Sequence, residues 1–346
     1  MKKNPPRNSD AGFMRLALRE ARKGVGRTLP NPAVGAIVVK NGRILSRGWH
    51  RAAGMPHAEI EAISKLAKPG DARGATLYVT LEPCSTQGRT PPCTSAIIAA
   101  GLTRVVFGAP DPNPKNAGRA EKILRKEGVE AVSGVLGDEC AAINRAWNKW
   151  ISTGMPFVTA KAGMSLDGRI ASPPGRRWIT SEAARLDAMR LRSECGAVLV
   201  GAETVRADNP HLTVRGGKKS GVQPIRAVWS RSGKLDPACH LLSDAFRDRT
   251  VVYKGKALAS VLCDLGKRGV AHVLIEGGGR TLGEAFDKNL VDRIVFYTAP
   301  ALLGGPIPAV GGLGAGANAE AVRLENPTYR LVGGCLRTEA MVAAAR

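Results

Sequence analysis

Apolar stretches of strand length alternate with helical stretches along most of this chain, and the alternation restarts once, at Ser152-Thr153-Gly154-Met155-Pro156. Strands separated by helices bury their apolar faces as a sheet covered by helices, so the pattern predicts an α/β fold. The break predicts two domains, residues 1–152 and 156–346, which suits a chain of 346 residues. In the first half Asp10 is placed to cap a helix carrying Phe13, Met14, Leu16, Ala17, Leu18 and Ala21. Apolar runs over 33–39 and 43–49 flank Asn41-Gly42, a hairpin signal. Helices over 57–67, 92–100, 118–127 and 138–150 then interleave with strands over 76–80, 104–108 and 129–133. The second half starts a strand at Phe157. It continues with a helix over 181–193 and strands at 197–201, 226–229, 250–253 and 271–276. A helix follows Gly277-Gly278-Gly279, then a strand over 293–298. The Gly- and Ala-rich stretch 304–316 reads as a mobile loop without a function of its own.

Composition removes several function classes. Hydrophobic content of 44% with 23% charged residues is that of a folded chain, not a disordered one. No apolar run approaches the roughly 18 residues of a membrane helix, and the polar N-terminus shows no secretory leader. Seven scattered cysteines, an odd number, argue against a disulfide framework and for a reducing cytoplasm. The net charge of +22 is spread evenly: 24 basic against 12 acidic residues over 1–150, and 27 against 17 over 151–346. Aromatic content is 4%, so base-stacking platforms are scarce. The expectation is a basic protein handling phosphorylated small molecules, with neither nucleic acid nor membrane as partner.

Three pieces of the first half carry chemistry. His57-Ala58-Glu59 opens a helix, Pro83-Cys84 follows a strand, and Cys93 opens another helix. One His and two Cys form a Zn²⁺ ligand set that leaves a fourth position for water, and bound Zn²⁺ makes hydroxide available near neutral pH. Thiolates are favoured where helix N-termini offer free N–H groups. Glu59, two residues from His57, is placed to carry protons without ligating. This is the pattern of zinc deaminases, in which hydroxide attacks an amidine carbon of a base. Cys140, Cys195, Cys239, Cys263 and Cys335 lack paired spacing and read as packing residues.

Eight residues separate Cys84 from Cys93, and the run Gly88-Arg89-Thr90-Pro91-Pro92-Cys93 resembles the riboflavin-biosynthesis deaminase. So do Pro30-Asn31-Pro32-Ala33-Val34-Gly35, Gly48-Trp49-His50 and Asp111-Pro112-Asn113-Pro114. The second half resembles the partner reductase through Lys161, Ser165-Leu166-Asp167-Gly168, Trp178-Ile179-Thr180-Ser181, Asp208-Asn209-Pro210, Leu212-Thr213-Val214-Arg215 and Glu276-Gly277-Gly278. Over residues 10–305 the chain is similar to the bifunctional deaminase–reductases of the RibD/RibG type. The resemblance implies a cytidine-deaminase-like α/β domain followed by a dihydrofolate-reductase-like α/β domain. It implies deamination of 2,5-diamino-6-ribosylamino-4(3H)-pyrimidinone 5′-phosphate. NADPH would then reduce the ribosyl chain to ribityl, giving 5-amino-6-ribitylamino-uracil 5′-phosphate. By position it makes His57, Cys84 and Cys93 zinc ligands, Glu59 the proton carrier, and Asn31 and His50 part of the pyrimidine pocket. It assigns NADPH to Gly163, Trp178, Thr204, Asp208, Gly278, Gly279, Arg280 and Thr281. It makes Arg192 and Arg215, with Leu212 beside them, positions that hold the substrate, where Arg suits the 5′-phosphate; Lys161 and Glu276 are read as orienting the ribosyl chain near the hydride. A homo-oligomer is expected.

The residues of the second half agree without the name. No Gly-x-Gly-x-x-Gly follows a strand, so a Rossmann site is unsupported. Gly277-Gly278-Gly279-Arg280-Thr281 lies between strand and helix, where backbone N–H groups can cradle a phosphate, and Arg suits a phosphate through its bidentate donors. Three positions depart from the family pattern. Ser85-Thr86-Gln87 has Thr where a His is usual, which removes a substrate contact able to carry charge. Arg176 replaces a Ser two residues before Trp178 and is counted among the substrate contacts. Gly196 stands where Asp is common. The Thr86 departure leaves open a chain with an impaired deaminase that works as a reductase alone. A nucleic-acid-directed deaminase is the third reading.

Overall fold

Ser9, not Asp10, caps the first helix. Its Oγ accepts from Gly12 N at 3.2 Å at the head of α1 (Asp10–Arg22). Asp10 sits in the first turn, where Arg104 donates to both its carboxylate oxygens at 2.9 Å and Tyr78 Oη donates at 2.7 Å. Its oxygens are therefore spent on neighbouring strands rather than on the helix's free N–H groups. The computed structural model describes residues 9–87, 91–170, 178–215, 223–314 and 321–343. The chain divides into two compact units, Met1–Thr153 and Gly154–Arg346.

The first unit is a five-stranded sheet in the order β2-β1-β3-β4-β5. β1 (Gly35–Lys40) and β2 (Arg43–Trp49) form the expected antiparallel hairpin, turning through Asn41 and Gly42, both with positive φ. β3 (Thr76–Leu81), β4 (Arg104–Ala109) and β5 (Glu130–Val132) run parallel. Helices α2 (Ala58–Ser64), α3 (Cys93–Ala99) and α4 (Arg119–Lys126) alternate with the strands. A Cβ on Gly35 would lie 2.2 Å from Ala17 O, so α1 packs flush on β1 only because that residue is glycine. The expected helix over 138–150 is two helices, α5 (Gly137–Ile143) and α6 (Arg145–Thr153). Asn144 separates them: its amide accepts from Ala33 N at 2.8 Å and donates to Ala33 O at 3.0 Å.

The second unit is an eight-stranded sheet in the order β12-β13-β11-β6-β10-β7-β8-β9. β6 (Phe157–Ser165), β7 (Ala197–Gly201), β8 (Ile225–Ser230), β9 (Thr250–Lys254), β10 (His272–Ile275) and β11 (Arg293–Ala299) are all parallel. Their carboxyl ends therefore share one edge, the edge on which ligands of such sheets bind. Helices α7 (Glu182–Ser193) and α11 (Gly279–Asp287) stand where the sequence put them. Three helices and a hairpin were not anticipated: α8 (Ala202–Asp208), α9 (His240–Ser243), α10 (Leu258–Lys267), and the antiparallel pair β12 (Leu324–Val332) and β13 (Cys335–Val342). α10 does carry a helical stripe, Leu258, Val261, Leu262 and Leu265, all buried. β12 is exposed along nearly its whole length and is interrupted by a bulge beside Pro327, so it shows no in–out alternation. Among the described residues no helix is long and apolar enough to cross a membrane.

Candidate active sites

In the first unit three loop-to-helix junctions converge. His57 precedes α2, Cys84 follows β3, and Cys93 begins α3. His57 Nδ1 lies 3.3 Å from Cys93 Sγ and 3.6 Å from Cys84 Sγ, and all three donor atoms lie within 4.8 Å of one another. Zn–N of about 2.0 Å and Zn–S of about 2.3 Å place tetrahedral ligands about 3.6 Å apart, so the spacing fits one zinc ion. Cys93 N donates to Cys84 Sγ at 3.3 Å. A separate side-chain hydrogen bond, from the Cys93 thiol to Cys84 Sγ, outweighs burial and pulls the Cys84 thiol down to about 4. The same bond, with burial, pushes the Cys93 thiol far up. His57 is raised to about 9, first by its bond to Cys84. The trio thus shares protons that a divalent cation would displace.

Glu59 is buried, and burial raises its carboxyl above the ordinary value. His50 is also buried and its imidazole is lowered, first by burial. His50 Nδ1 lies 3.0 Å from Pro56 O and therefore donates, which leaves Nε2 to accept from Asn31 Nδ2 at 3.1 Å. That bond turns Asn31 Oδ1 into a fixed acceptor. The His50 ring stands edge-on to His57 at 5.4 Å between centroids. Thr86 does not replace the missing imidazole: its hydroxyl donates to Asn116 Oδ1 at 2.9 Å.

In the second unit the carboxyl edge of the parallel strands opens into a cleft of about 2260 Å³. That is more than twice the ~1,000 Å³ at the upper end of ordinary small-ligand pockets, room for two ligands together. Lys161, Gly163, Trp178, Arg192, Thr204, Asp208, Leu212, Arg215, Glu276 and the Gly278–Thr281 residues all line it. Arg176 lies outside the described residues. Glu276 follows β10, and Arg192 grips it through Nε at 2.6 Å and Nη2 at 3.0 Å while Lys161 Nζ stands 3.5 Å away. Burial alone would raise the Glu276 carboxyl; Arg192 and then Lys161 overturn that and hold it at about 2. Glu276 is thus a fixed anion. Arg192 Nη1 also donates to Thr213 O at 3.1 Å, so its guanidinium is largely engaged by the protein, whereas Arg215 is exposed on the cleft wall.

The glycine run is built for close packing. Gly278 N donates to Thr204 Oγ1 at 3.2 Å, and Arg280 pairs with Glu203 at 2.8 Å. A Cβ on Gly279 would lie 2.1 Å from Pro308 O. This corrects the reading of 304–316 as a bystander loop: Pro306, Ile307, Pro308, Gly311 and Gly312 line the cleft, and Gly311 N donates to Gly279 O at 2.9 Å. Residues 315 and 316 of that stretch lie outside the described residues. Sequence reasoning also missed Trp229, Arg231 and Lys256 on the cleft wall. They lie in or just past β8 and β9, where a parallel sheet presents its ligand-facing edge, and that rule would have found them.

Residues 7–109 match the cytidine and deoxycytidylate deaminase zinc-binding region, and residues 156–332 match the RibD C-terminal domain. The chain is 37% identical over 348 residues to the riboflavin biosynthesis protein RibD of Aquifex aeolicus, covering 94% of this chain and 97% of that protein. It is 40% identical to the protein of the same name from Mycobacterium tuberculosis, covering 92% and 94%. Its structure is similar to Acinetobacter baumannii RibD, with a TM-score of 0.89 at 34% identity, covering 96% and 99% of the two chains. It also resembles a deaminase/reductase from Thermotoga maritima, with a TM-score of 0.85 at 34% identity and the same coverage.

Proposed function

The chain belongs to the RibD family of riboflavin-biosynthesis enzymes, and from that premise we propose how its residues divide the work. It is bifunctional: a deaminase of the cytidine-deaminase type precedes a reductase, and the two act in turn on a phosphorylated pyrimidine. The observation that carries the residue assignment is the pairing of a His57/Cys84/Cys93 donor trio in one unit with a large cleft lined by an anionic Glu276 in the other.

For deamination, His57, Cys84 and Cys93 hold zinc. When bound, zinc supplies the Lewis acidity that makes hydroxide available at neutral pH. Glu59, buried two residues along from His57, takes the proton released by the attacking water and returns it to the departing amine. Asn31, its amide orientation fixed by His50, accepts from an N–H of the pyrimidine. The intact trio supports a working deaminase despite Thr86.

For reduction, bound NADPH would supply a hydride to the first carbon of the ribosyl chain as that carbon's bond to the ring oxygen opens, the freed oxygen taking its proton from water. Trp178, Thr204, Asp208 and Gly163 hold the cofactor, and the N–H groups of Gly279 and Arg280 at the start of α11 face its phosphates with Gly278 and Thr281 as support. Arg231 and Lys256 on the cleft wall favour a 2′-phosphate, hence NADPH over NADH. Arg215 takes the substrate's 5′-phosphate with Leu212 beside it, and Arg192 touches substrate next to Glu276. Lys161 and Glu276 hold the ribosyl hydroxyls so that the reacting carbon meets the hydride. Arg176 retains the substrate role its place before Trp178 implies.

A homo-oligomer and a reducing cytoplasm complete the proposal. All seven cysteines are free. Leu324, Tyr329, Leu331 and Leu336 are exposed on the β12–β13 hairpin, an apolar surface of the kind that subunits cover. The test is to supply 2,5-diamino-6-ribosylamino-4(3H)-pyrimidinone 5′-phosphate with and without NADPH. Ammonia appears in both cases, and NADPH is consumed one-for-one with substrate in the second. Ammonia release from nucleosides or RNA instead would replace this substrate assignment.

A further inference from the structure

We propose that Asn116 is a positioning residue of the deaminase, holding the turn of residues 84–86 so that Thr86 serves the scaffold and not the substrate. The inference rests on the deaminase reading above. Asn116 is buried in the loop between β4 and α4. Its Oδ1 accepts from Thr86 Oγ1 at 2.9 Å and from Ser85 N at 3.4 Å, and its Nδ2 donates to Asp111 Oδ2 at 2.9 Å. Asp111 is anchored in turn. Its other oxygen accepts from Asn113 N at 2.8 Å, and its N–H donates to Glu82 Oε2 at 3.1 Å. Glu82, buried at the end of β3, also accepts from Gly118 N and Ala120 N, each at 3.1 Å. A continuous line of buried polar groups thus runs from the sheet, through the start of α4, to the residues beside Cys84.

A threonine hydroxyl has one proton to donate, and here Asn116 receives it. Thr86 is therefore spent as a donor before any substrate arrives. Where polar groups bond in series, removal of one partner orphans the next, so loss of either Thr86 Oγ1 or the Asn116 amide releases the same turn. Cys84 sits in that turn, 3.6 Å from His57 Nδ1 and accepting from Cys93 N. Groups that orient metal ligands in this way typically change metal affinity or activity by 10–100-fold when lost.

The experiment uses the full chain carrying Thr86→Val, Thr86→Ser, Asn116→Ala and the Thr86→Val/Asn116→Ala double substitution. Zinc affinity is read by competition with a chromophoric chelator, the deaminase by kcat and KM for ammonia release, and folding of the first unit by its calorimetric transition, with NADPH oxidation on the deaminated intermediate as the control for the second unit. Thr86→Val and Asn116→Ala each weaken zinc affinity and kcat by about tenfold or more, while KM stays within about threefold. The double variant is no worse than the poorer single one, because both changes break one line. Thr86→Ser behaves as the parent. A Thr86→Val variant that raises KM with zinc affinity intact would make Thr86 a substrate contact and overturn the proposal, as would additive losses in the double variant. If the parent chain releases no ammonia from the pyrimidine, the substrate assignment fails separately, and the zinc affinities still decide the role of Asn116.

Discussion

Glu276→Gln isolates the electrostatics of the reductase cleft without changing the size of the side chain. The Glu276 side chain is 10% exposed and is held by Arg192 and Lys161 at about 2 against an ordinary 4.5. That difference corresponds to about 3 kcal/mol of stability at neutral pH, at the lower end of the roughly 3–5 kcal/mol lost when one partner of a buried ion pair is removed. The depressed carboxyl sets the sign: its contribution is complete above pH 4.5 and lost as pH falls toward 2. For a unit of this size each kcal/mol moves the melting point by about 2–4 °C. The variant's reductase transition should therefore fall by about 6–12 °C at pH 7, with a much smaller gap at pH 3. Calorimetry reads it, with the transition identified by its upward shift on adding NADPH. NADPH oxidation should fall at the same time while ammonia release is unchanged. A reductase transition within about 2 °C of the parent at pH 7 would refute the reasoning, because Arg192 and Lys161 would then not depend on that charge.

Three further outcomes are expected. Removing zinc with a chelator abolishes ammonia release and leaves NADPH oxidation of the deaminated intermediate intact, and zinc restores the first activity; loss of both on chelation would contradict independent sites. His272 is buried, with Nε2 2.8 Å from Thr159 Oγ1 and Nδ1 3.1 Å from Glu194 O, and burial lowers it from 6.5 to about 3. The unfolded chain therefore binds a proton that the folded chain does not, so stability drops as pH falls from 6.5 toward 3. Urea titrations of His272→Gln should show a shallower decline over that range than the parent. Gly279→Ala drives a methyl against Pro308 O, at a cost of about 1–3 kcal/mol; KM for NADPH should rise about tenfold or more with zinc content and ammonia release unaffected.

The first site was legible because its chemistry needs few residue types in fixed order. His57, Cys84 and Cys93 each announce a donor, and the loop-to-helix junctions that bring them together follow from the strand and helix pattern. The hairpin at Asn41-Gly42 was legible for a similar reason, a local backbone requirement written in two residues. Asp10 was misread as a cap because nothing local reveals that Arg104, 94 positions away, claims its oxygens. The hairpin of β12 and β13 escaped because an exposed edge strand with a bulge at Pro327 lacks alternation. The role of residues 306–312 and of Thr86 escaped for a third reason: both depend on a partner, Gly279 or Asn116, that only the folded chain brings near. In the second unit the turn over residues 277–281 could be read from its place between strand and helix, whereas most other cleft residues were named through family likeness. What holds Glu276 ionised is spatial, since Lys161, Arg192 and Glu276 come from three separate elements.

The central claim is that one chain carries two separate sites acting in order. It is tested most directly by two single-site variants, each assayed for ammonia release and NADPH oxidation. Glu59→Gln should release no ammonia yet oxidise NADPH when given the deaminated intermediate. Glu276→Gln should release one equivalent of ammonia and oxidise little or no NADPH. Loss of both signals in either variant, in a folded chain that still holds zinc, would contradict the account.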